Sequence, residues 1–126
     1  MTPAELWREN LRRSLLSARK ARDTTSITAI RSALSAIDNA ETPLPDQTDT
    51  RTGGPIAGAV SGLGSTEVAR RVLSDREIRG LIQAEADERL AAAAEYIANG
   101  HDSRASDLQS QAAVLTRLLG QTPEGV

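Results

Sequence analysis

The chain has 126 residues, no cysteine, 2% aromatic residues and a formal net charge of −2 at pH 7. These totals exclude a disulfide framework, a thiolate metal site and a generally cationic protein that coats nucleic acid. Much of the 39% apolar share is alanine and there is no phenylalanine. Because strands favour β-branched and aromatic residues, we expect one small all-α domain.

The first 41 residues predict two helices joined by a short turn. Thr2 and Glu5 have the spacing of a capping box, with Pro3 at the first helical position. The apolar stripe of the first helix is Ala4, Trp7, Leu11, Leu15 and Ala18. Asp23 predicts a break and the N-cap of a second helix. Its apolar stripe is Ile27, Ile30, Leu34 and Ile37. Opposed stripes across a short turn predict an antiparallel hairpin over residues 1–41.

A segment rich in glycine and proline separates the two halves. It includes TDTRTGGPIAGAVSGLGSTE, residues 48–67. A phosphate-binding P-loop requires Gly-x-x-x-x-Gly-Lys-Ser/Thr between a strand and a helix. No lysine follows any of these glycines, and no strand is predicted before them. The composition therefore predicts a flexible linker over residues 42–73, with its richest part at 42–65.

The second half, residues 74–120, predicts another hairpin, followed by a tail at 121–126. Ser74 and Glu77 form a second capping-box pattern, and Asn99-Gly100 is a helix stop. The predicted buried side of the third helix is Ile78, Leu81, Ile82, Ala86, Ala93, Tyr96 and Ile97. A fourth helix begins near Asp102 and ends at Gly120. Its predicted apolar positions are Leu108, Ala112, Leu115 and Leu119. Packing the hairpins together gives a four-helix array.

The sequence offers no candidate catalytic residue, cofactor site or metal site. His101 is the single histidine and follows a helix stop, where a solvated loop position is expected. Glu85 and Arg89 stand at i,i+4, the spacing of a surface or packing ion pair. The N-terminus has no apolar leader region, and no run approaches 18 apolar residues. We therefore expect a cytoplasmic protein that is not an enzyme and does not enter a membrane.

One basic strip carries the functional prediction. It lies along the first helix and consists of Arg8, Arg12, Arg19 and Arg22. Arginines in a row fit RNA phosphates and predict salt-dependent binding. The alternatives are that they bridge to the acidic third helix or are simply solvated, because no aromatic side chains alternate with them. A third hypothesis is a protein-interaction or homo-oligomeric helix array, suggested by the alanine-rich third helix and the opposite charge of the two halves.

Two segments resemble the GatB/YqeY domain family. ARKARDTTSITAIRSALSAIDNAE, residues 18–41, is similar to its opening helices, with Asp23 in the turn and Arg31 at the centre of the second helix. LSDREIRGLIQAEADERLAAAAEYIANGHD, residues 73–102, resembles its third helix. The matching positions there are Glu85, Arg89, Tyr96 and Gly100. AAVLTRLLG falls at its closing apolar helix, although Gln111 stands where an acidic residue is usual.

The resemblance implies an all-α, non-catalytic module linked to tRNA-dependent amidation. In the B subunit of the tRNA-dependent Asp/Glu amidotransferase, this type of domain forms the tail that helps to hold tRNA. The expected partners are therefore tRNA or an amidotransferase-related protein. Only the first helical subdomain is matched, since the sequence ends at Val126 before the family's second, smaller subdomain. The family's amidotransferase activity has no matching residues here.

Overall fold

The computed structural model describes residues 1–43 and 70–121. Within these ranges the chain is all-α, with four helices and no strand, as the composition predicted. The helices are α1 (Pro3–Ala21), α2 (Thr24–Glu41), α3 (Asp75–Ala98) and α4 (Asp102–Gly120). Most of the predicted linker, residues 44–69, and most of the predicted tail, residues 122–126, lie outside the described residues.

The helices begin where the capping patterns predicted. The Thr2 hydroxyl accepts the Glu5 N–H at 3.2 Å, and the Glu5 carboxylate accepts the Thr2 N–H at 2.8 Å. Ser74 and Glu77 exchange the same pair of bonds at the start of α3, at 3.0 and 2.9 Å. Asp23 caps α2 by accepting the Ser26 N–H at 3.1 Å. Side-chain acceptors thus satisfy N–H groups that the helices cannot pair internally.

Helix α2 lies at the centre of the packing. It contacts α1, α3 and α4, while the most extensive contact joins α3 to α4 and α1 reaches α3 only locally. The largest fully buried side chains are Trp7, Leu11, Ile37, Leu73, Ile78, Ile82 and Leu115. Alanines between them allow close helix approach where the chain has few large residues. These buried alanines include Ala29, Ala33, Ala86 and Ala112.

The buried stripes agree with the periodicity except at particular positions. Ile97 was predicted to be buried, but it is 50% exposed. Tyr96 is half-buried, whereas Ile97 comes seven residues after the exposed Leu90 and therefore lies on the same outward side of α3. Val114 and Leu118 are buried although the predicted stripe of α4 did not include them.

Leu73 belongs to the core although it falls in the range predicted as linker. It is 2% exposed, and Ile78, five residues later, is fully buried in the same cluster. Leu73 precedes the N-cap residue Ser74, and Ile78 is the fourth helical residue. This is the spacing of a hydrophobic staple, which fixes the direction in which the chain enters a helix.

No helix in the described ranges is both long enough and apolar enough to span a bilayer.

Candidate nucleic-acid interface

The structure separates Arg8 from the other arginines of the basic strip. The Arg8 side chain is only 15% exposed, and its guanidinium binds Asp38 and Glu41 near the end of α2, with closest N–O distances of 2.5 Å to each. The hydrogen bond to Glu41, followed by that to Asp38, raises the pKa of Arg8 above its ordinary value. Its role as a phosphate contact stays a prediction, but its donors are already engaged by two carboxylates.

Glu41 binds arginine side chains from two parts of the chain. Its side chain is 10% exposed, and it accepts Arg70 at 2.9 Å as well as Arg8. Its backbone carbonyl also accepts the Arg71 N–H at 2.9 Å. A nearly buried carboxylate requires such partners, because burial without them is costly. The cluster therefore fastens the segment before α3 to the end of α2, and its arginines have a structural use.

The remaining arginines of the strip, Arg12, Arg19 and Arg22, are exposed to solvent. None of the hydrogen bonds and ion pairs within residues 1–43 and 70–121 involves these three side chains. In particular, none of them pairs with a carboxylate of α3, so the predicted bridge between the strip and the acidic third helix is not observed there. Arg12 and Arg19 therefore face water on one flank of α1, and Arg22 is exposed just after the end of the helix.

Arg22 ends α1 in a conformation that usually belongs to glycine. Its φ and ψ angles are 56° and 37°, in the left-handed region. Its N–H donates to the Arg19 carbonyl at 3.1 Å, and the Asp23 N–H donates to the Ala18 carbonyl at 2.9 Å. These two bonds are those of the Schellman motif, in which glycine avoids a steric clash of Cβ. An arginine here costs about 1 kcal/mol relative to glycine.

Arg89 links α2, α3 and α4. Its guanidinium donates to Glu85 on its own helix at 2.9 Å, to Gln111 of α4 at 2.9 Å and to Ser32 of α2 at 2.7 Å. The side chain is 15% exposed. The i,i+4 pair with Glu85 was predicted from spacing, whereas the bonds to Ser32 and Gln111 join residues distant in sequence. Arg89 therefore orients the two halves of the chain relative to each other.

Two further positions of the family pattern, Tyr96 and Gly100, lie at the end of α3 and in the turn that follows it. Gly100 has a φ of 79°, in the left-handed region that suits a helix stop at glycine. The half-buried Tyr96 ring meets His101 edge-on, with ring centroids 6.0 Å apart, and Arg104 lies 5.8 Å from the Tyr96 centroid. His101 is exposed, as predicted for a loop position.

A second polar cluster joins α1 to the start of α3. The Trp7 indole donates to Asp75 at 2.7 Å, and Arg79 donates to the same carboxylate at 2.8 Å. Arg79 also lies 5.2 Å from the Trp7 ring centroid and donates to the Leu119 carbonyl of α4 at 3.1 Å. Burial raises the pKa of Asp75, but the bonds from Trp7 and Arg79 outweigh it and hold that pKa below its ordinary value.

Arg31 is the other family-pattern arginine, and it is exposed on α2. It lines an open depression of about 390 Å³ together with Thr28, Ser32, Ser35 and Glu85. Like Arg12, Arg19 and Arg22, it takes part in no hydrogen bond or ion pair within the described ranges. In the sequence, only the family resemblance singles out Arg31. The helical pattern of α2 does not show which neighbouring helix lies next to the side that carries Arg31.

The described residues contain no group of three histidine, cysteine, aspartate or glutamate side chains arranged to hold a metal ion. Apolar surface is exposed elsewhere, at Leu90 and Ile97 of α3, which are 48% and 50% exposed. Leu90 also borders an apolar groove with Ala112 and Ala113 of α4. The α3–α4 pair thus presents an apolar face, while α1 presents a basic one.

No family model matches this chain, and no curated protein or solved structure matches it either.

Proposed function

We propose that this protein is a non-catalytic helical module that binds RNA through Arg12, Arg19 and Arg22. The observation that carries the proposal is that Arg12 and Arg19 share one flank of α1, that Arg22 follows the end of the helix, and that all three are exposed and have no ion pair within residues 1–43 and 70–121. Phosphate groups of RNA are partners that such a row of cations suits, because each arginine presents several donors in a planar fork.

The conformation of Arg22 supports a role beyond folding. Glycine at this position would relieve the left-handed backbone, yet the chain carries a cation that contacts no acidic group in the described ranges. A residue that lowers stability and remains at the surface is a candidate for ligand contact. The left-handed backbone of Arg22 is the observation, and a contact of its side chain with phosphate is the hypothesis that we draw from it.

The non-catalytic part of the proposal rests on how the partly buried carboxylates are used. Glu41 is bound by Arg8 and Arg70, Asp75 by Trp7 and Arg79, and Glu85 by Arg89. Glu41 and Asp75 join helices or helix ends, and Glu85 binds the arginine that reaches α2 and α4. A general acid or base requires a proton-exchanging group that reaches a substrate, and these carboxylates are engaged in packing instead.

The finer arrangement we propose is two antiparallel hairpins packed as a four-helix array and joined by the glycine- and proline-rich linker, similar to the first helical subdomain of the GatB/YqeY family. The linker falls mainly on residues 44–69, outside the described ranges. The bonds from Arg89 to Ser32 and Gln111 support a fixed packing of the two halves. On the family resemblance, the RNA is tRNA, and an amidotransferase-related protein is a further partner.

The direct test is fluorescence anisotropy of labelled bulk tRNA, titrated with the parent protein and with Arg12→Ala/Arg19→Ala. The parent is expected to bind saturably, and the double variant about tenfold or more weakly, since each lost phosphate contact weakens binding. Arg76→Ala is the matched control, because Arg76 is exposed on α3 and has no ion pair in the described ranges. Equal affinities of the parent and the double variant would remove the strip from the function.

A second candidate function is self-association through the α3–α4 face. The exposed Leu90 and Ile97 and the apolar groove at Ala112 and Ala113 favour it, since clustered apolar surface often marks an interaction site. Light scattering at high protein concentration tests this candidate. A dimer that Leu90→Glu disrupts would support it, and a strict monomer would reject it.

A further inference from the structure

Arg31 is exposed on α2, where it borders a depression that also reaches Glu85 of α3. Later on the same helix Asp38 binds Arg8 of α1. Arg31 and Asp38 are seven residues apart, and seven residues make nearly two full helical turns with a drift of about 20°. Both side chains therefore leave α2 in nearly the same direction, toward the flank of α1 that carries Arg8.

The ion pair between Arg8 of α1 and Asp38 of α2 fixes which residue of α1 lies level with Arg31. Along an antiparallel pair of helices, each step forward on α1 matches a step backward on α2. Counting seven residues from this ion pair on each helix places Arg31 level with residue 15 of α1.

Arg31 therefore lies between Arg12 and Arg19 along the line where α1 and α2 meet. Arg12 and Arg19 are also seven residues apart, about 10 Å along α1 at 1.5 Å per residue. Adding Arg31 gives three cations on two adjacent helices, at levels about 5 Å apart along the helix axes. Asp38 lies at one end of this group, where its carboxylate is engaged by Arg8.

We infer that Arg12, Arg19 and Arg31 together form a two-helix basic surface that follows the phosphate backbone of RNA. This inference rests on the proposed function and extends it, because it assigns a phosphate contact to α2 and makes the site depend on the α1–α2 register. Arg8 then acts as a positioning residue, since its bonds to Asp38 and Glu41 set that register. Exposed hydroxyl groups beside Arg31 suit ribose 2′-hydroxyl and phosphate oxygens. They belong to Thr28 and Ser35.

The experiment compares Arg31→Ala with Arg12→Ala and with the control Arg76→Ala, each titrated against labelled tRNA at several salt concentrations. Loss of one phosphate contact should weaken binding several-fold and reduce the slope of log Kobs against log salt by about 0.7 to 0.9. We expect this result for Arg12→Ala and for Arg31→Ala, and the parent slope for Arg76→Ala. Circular dichroism and thermal unfolding confirm that each variant is folded.

The outcomes separate the inference from the proposed function. If Arg12→Ala weakens binding and Arg31→Ala behaves like Arg76→Ala, the two-helix surface is rejected and RNA binding through α1 alone survives. If the parent does not bind tRNA even at low salt, the proposed function and the inference both fail.

Discussion

Arg8 of α1 and Glu41 of α2 form a nearly buried ion pair, with side chains that are 15% and 10% exposed. The pair distinguishes Arg8 from the arginine four residues later, which lies one turn along the same flank and is exposed. One flank of α1 thus carries an arginine that is engaged in packing and other arginines that are exposed and can contact a ligand. This difference gives separate predictions for stability and for binding.

Arg8→Ala should lower the free energy of unfolding by about 2 to 4 kcal/mol, because it leaves Glu41 buried with only Arg70 as a cationic partner. Arg12→Ala should change it by less than about 0.5 kcal/mol, as is usual for an exposed side chain without partners. Urea denaturation of both variants measures the difference. Arg8→Met combined with Glu41→Leu should recover much of the loss, since no unpaired charge is then buried. Equal stability of the two single variants would contradict the assignment.

Arg22→Gly should raise stability by about 0.5 to 1 kcal/mol, because glycine adopts the left-handed conformation of that position without a steric penalty. The same substitution should weaken tRNA binding several-fold by removing one cation from the strip. Thermal unfolding and anisotropy on one protein sample measure the two effects. Arg22→Asn, which also tolerates this backbone and lacks the charge, is the control. A variant that is more stable and binds tRNA as the parent does would show that Arg22 contacts no phosphate.

Asp75 should make the free energy of unfolding decrease in acid. Its pKa in the folded chain lies below its ordinary value, so its stabilising contribution is present above about pH 4, the unfolded pKa, and is lost as the pH falls through the folded pKa. Asp75→Asn keeps an acceptor for the Trp7 indole but cannot titrate. We therefore expect a smaller loss of stability between pH 7 and pH 3 in Asp75→Asn than in the parent. Urea titrations at the two pH values measure it.

The exposed Asp107 of α4 provides the comparison, since it forms no ion pair within the described ranges. Asp107→Asn should leave the acid dependence of the parent nearly unchanged. If both substitutions have the same effect, the Trp7–Asp75–Arg79 cluster does not hold the carboxylate in its charged form.

Arg89→Met should lower the free energy of unfolding by about 2 to 4 kcal/mol, because it leaves three partly buried acceptors on Glu85, Gln111 and Ser32 without their donor. Arg89→Lys should recover only part of this, since an ammonium group lacks the planar fork that reaches three helices at once. Urea denaturation measures both variants, with Arg76→Met as the exposed control. Full recovery by lysine would show that the charge matters and the geometry does not.

Local signals in the sequence were sufficient for the helices. The capping boxes at Thr2 and Ser74 and the stop at Gly100 fixed most boundaries, because caps and stops depend on neighbouring residues alone. Leu73 was missed, although its position before an N-cap, five residues from Ile78, is a staple pattern that could have identified it. Ile97 was placed in the core because the alanine run at 91–94 hides the helical period.

The candidate site was predictable only in part. The spacing of Arg12 and Arg19 showed that they share a flank. It could not show that Arg8, on the same flank, meets Asp38 and Glu41 more than 25 residues away. That contact depends on the register of two helices, which follows from the packing of many side chains rather than from any local motif. The place that we propose for Arg31 beside the strip depends on the same register, so spacing alone could not predict it.

The measurement that tests the central claim most directly is the salt dependence of tRNA binding by the parent protein. Three phosphate contacts predict a slope of log Kobs against log salt of about −2 to −3, with saturable binding at low salt. That slope would support a basic surface formed by exposed arginines. No binding at low salt, or binding whose affinity does not change with salt, would contradict it.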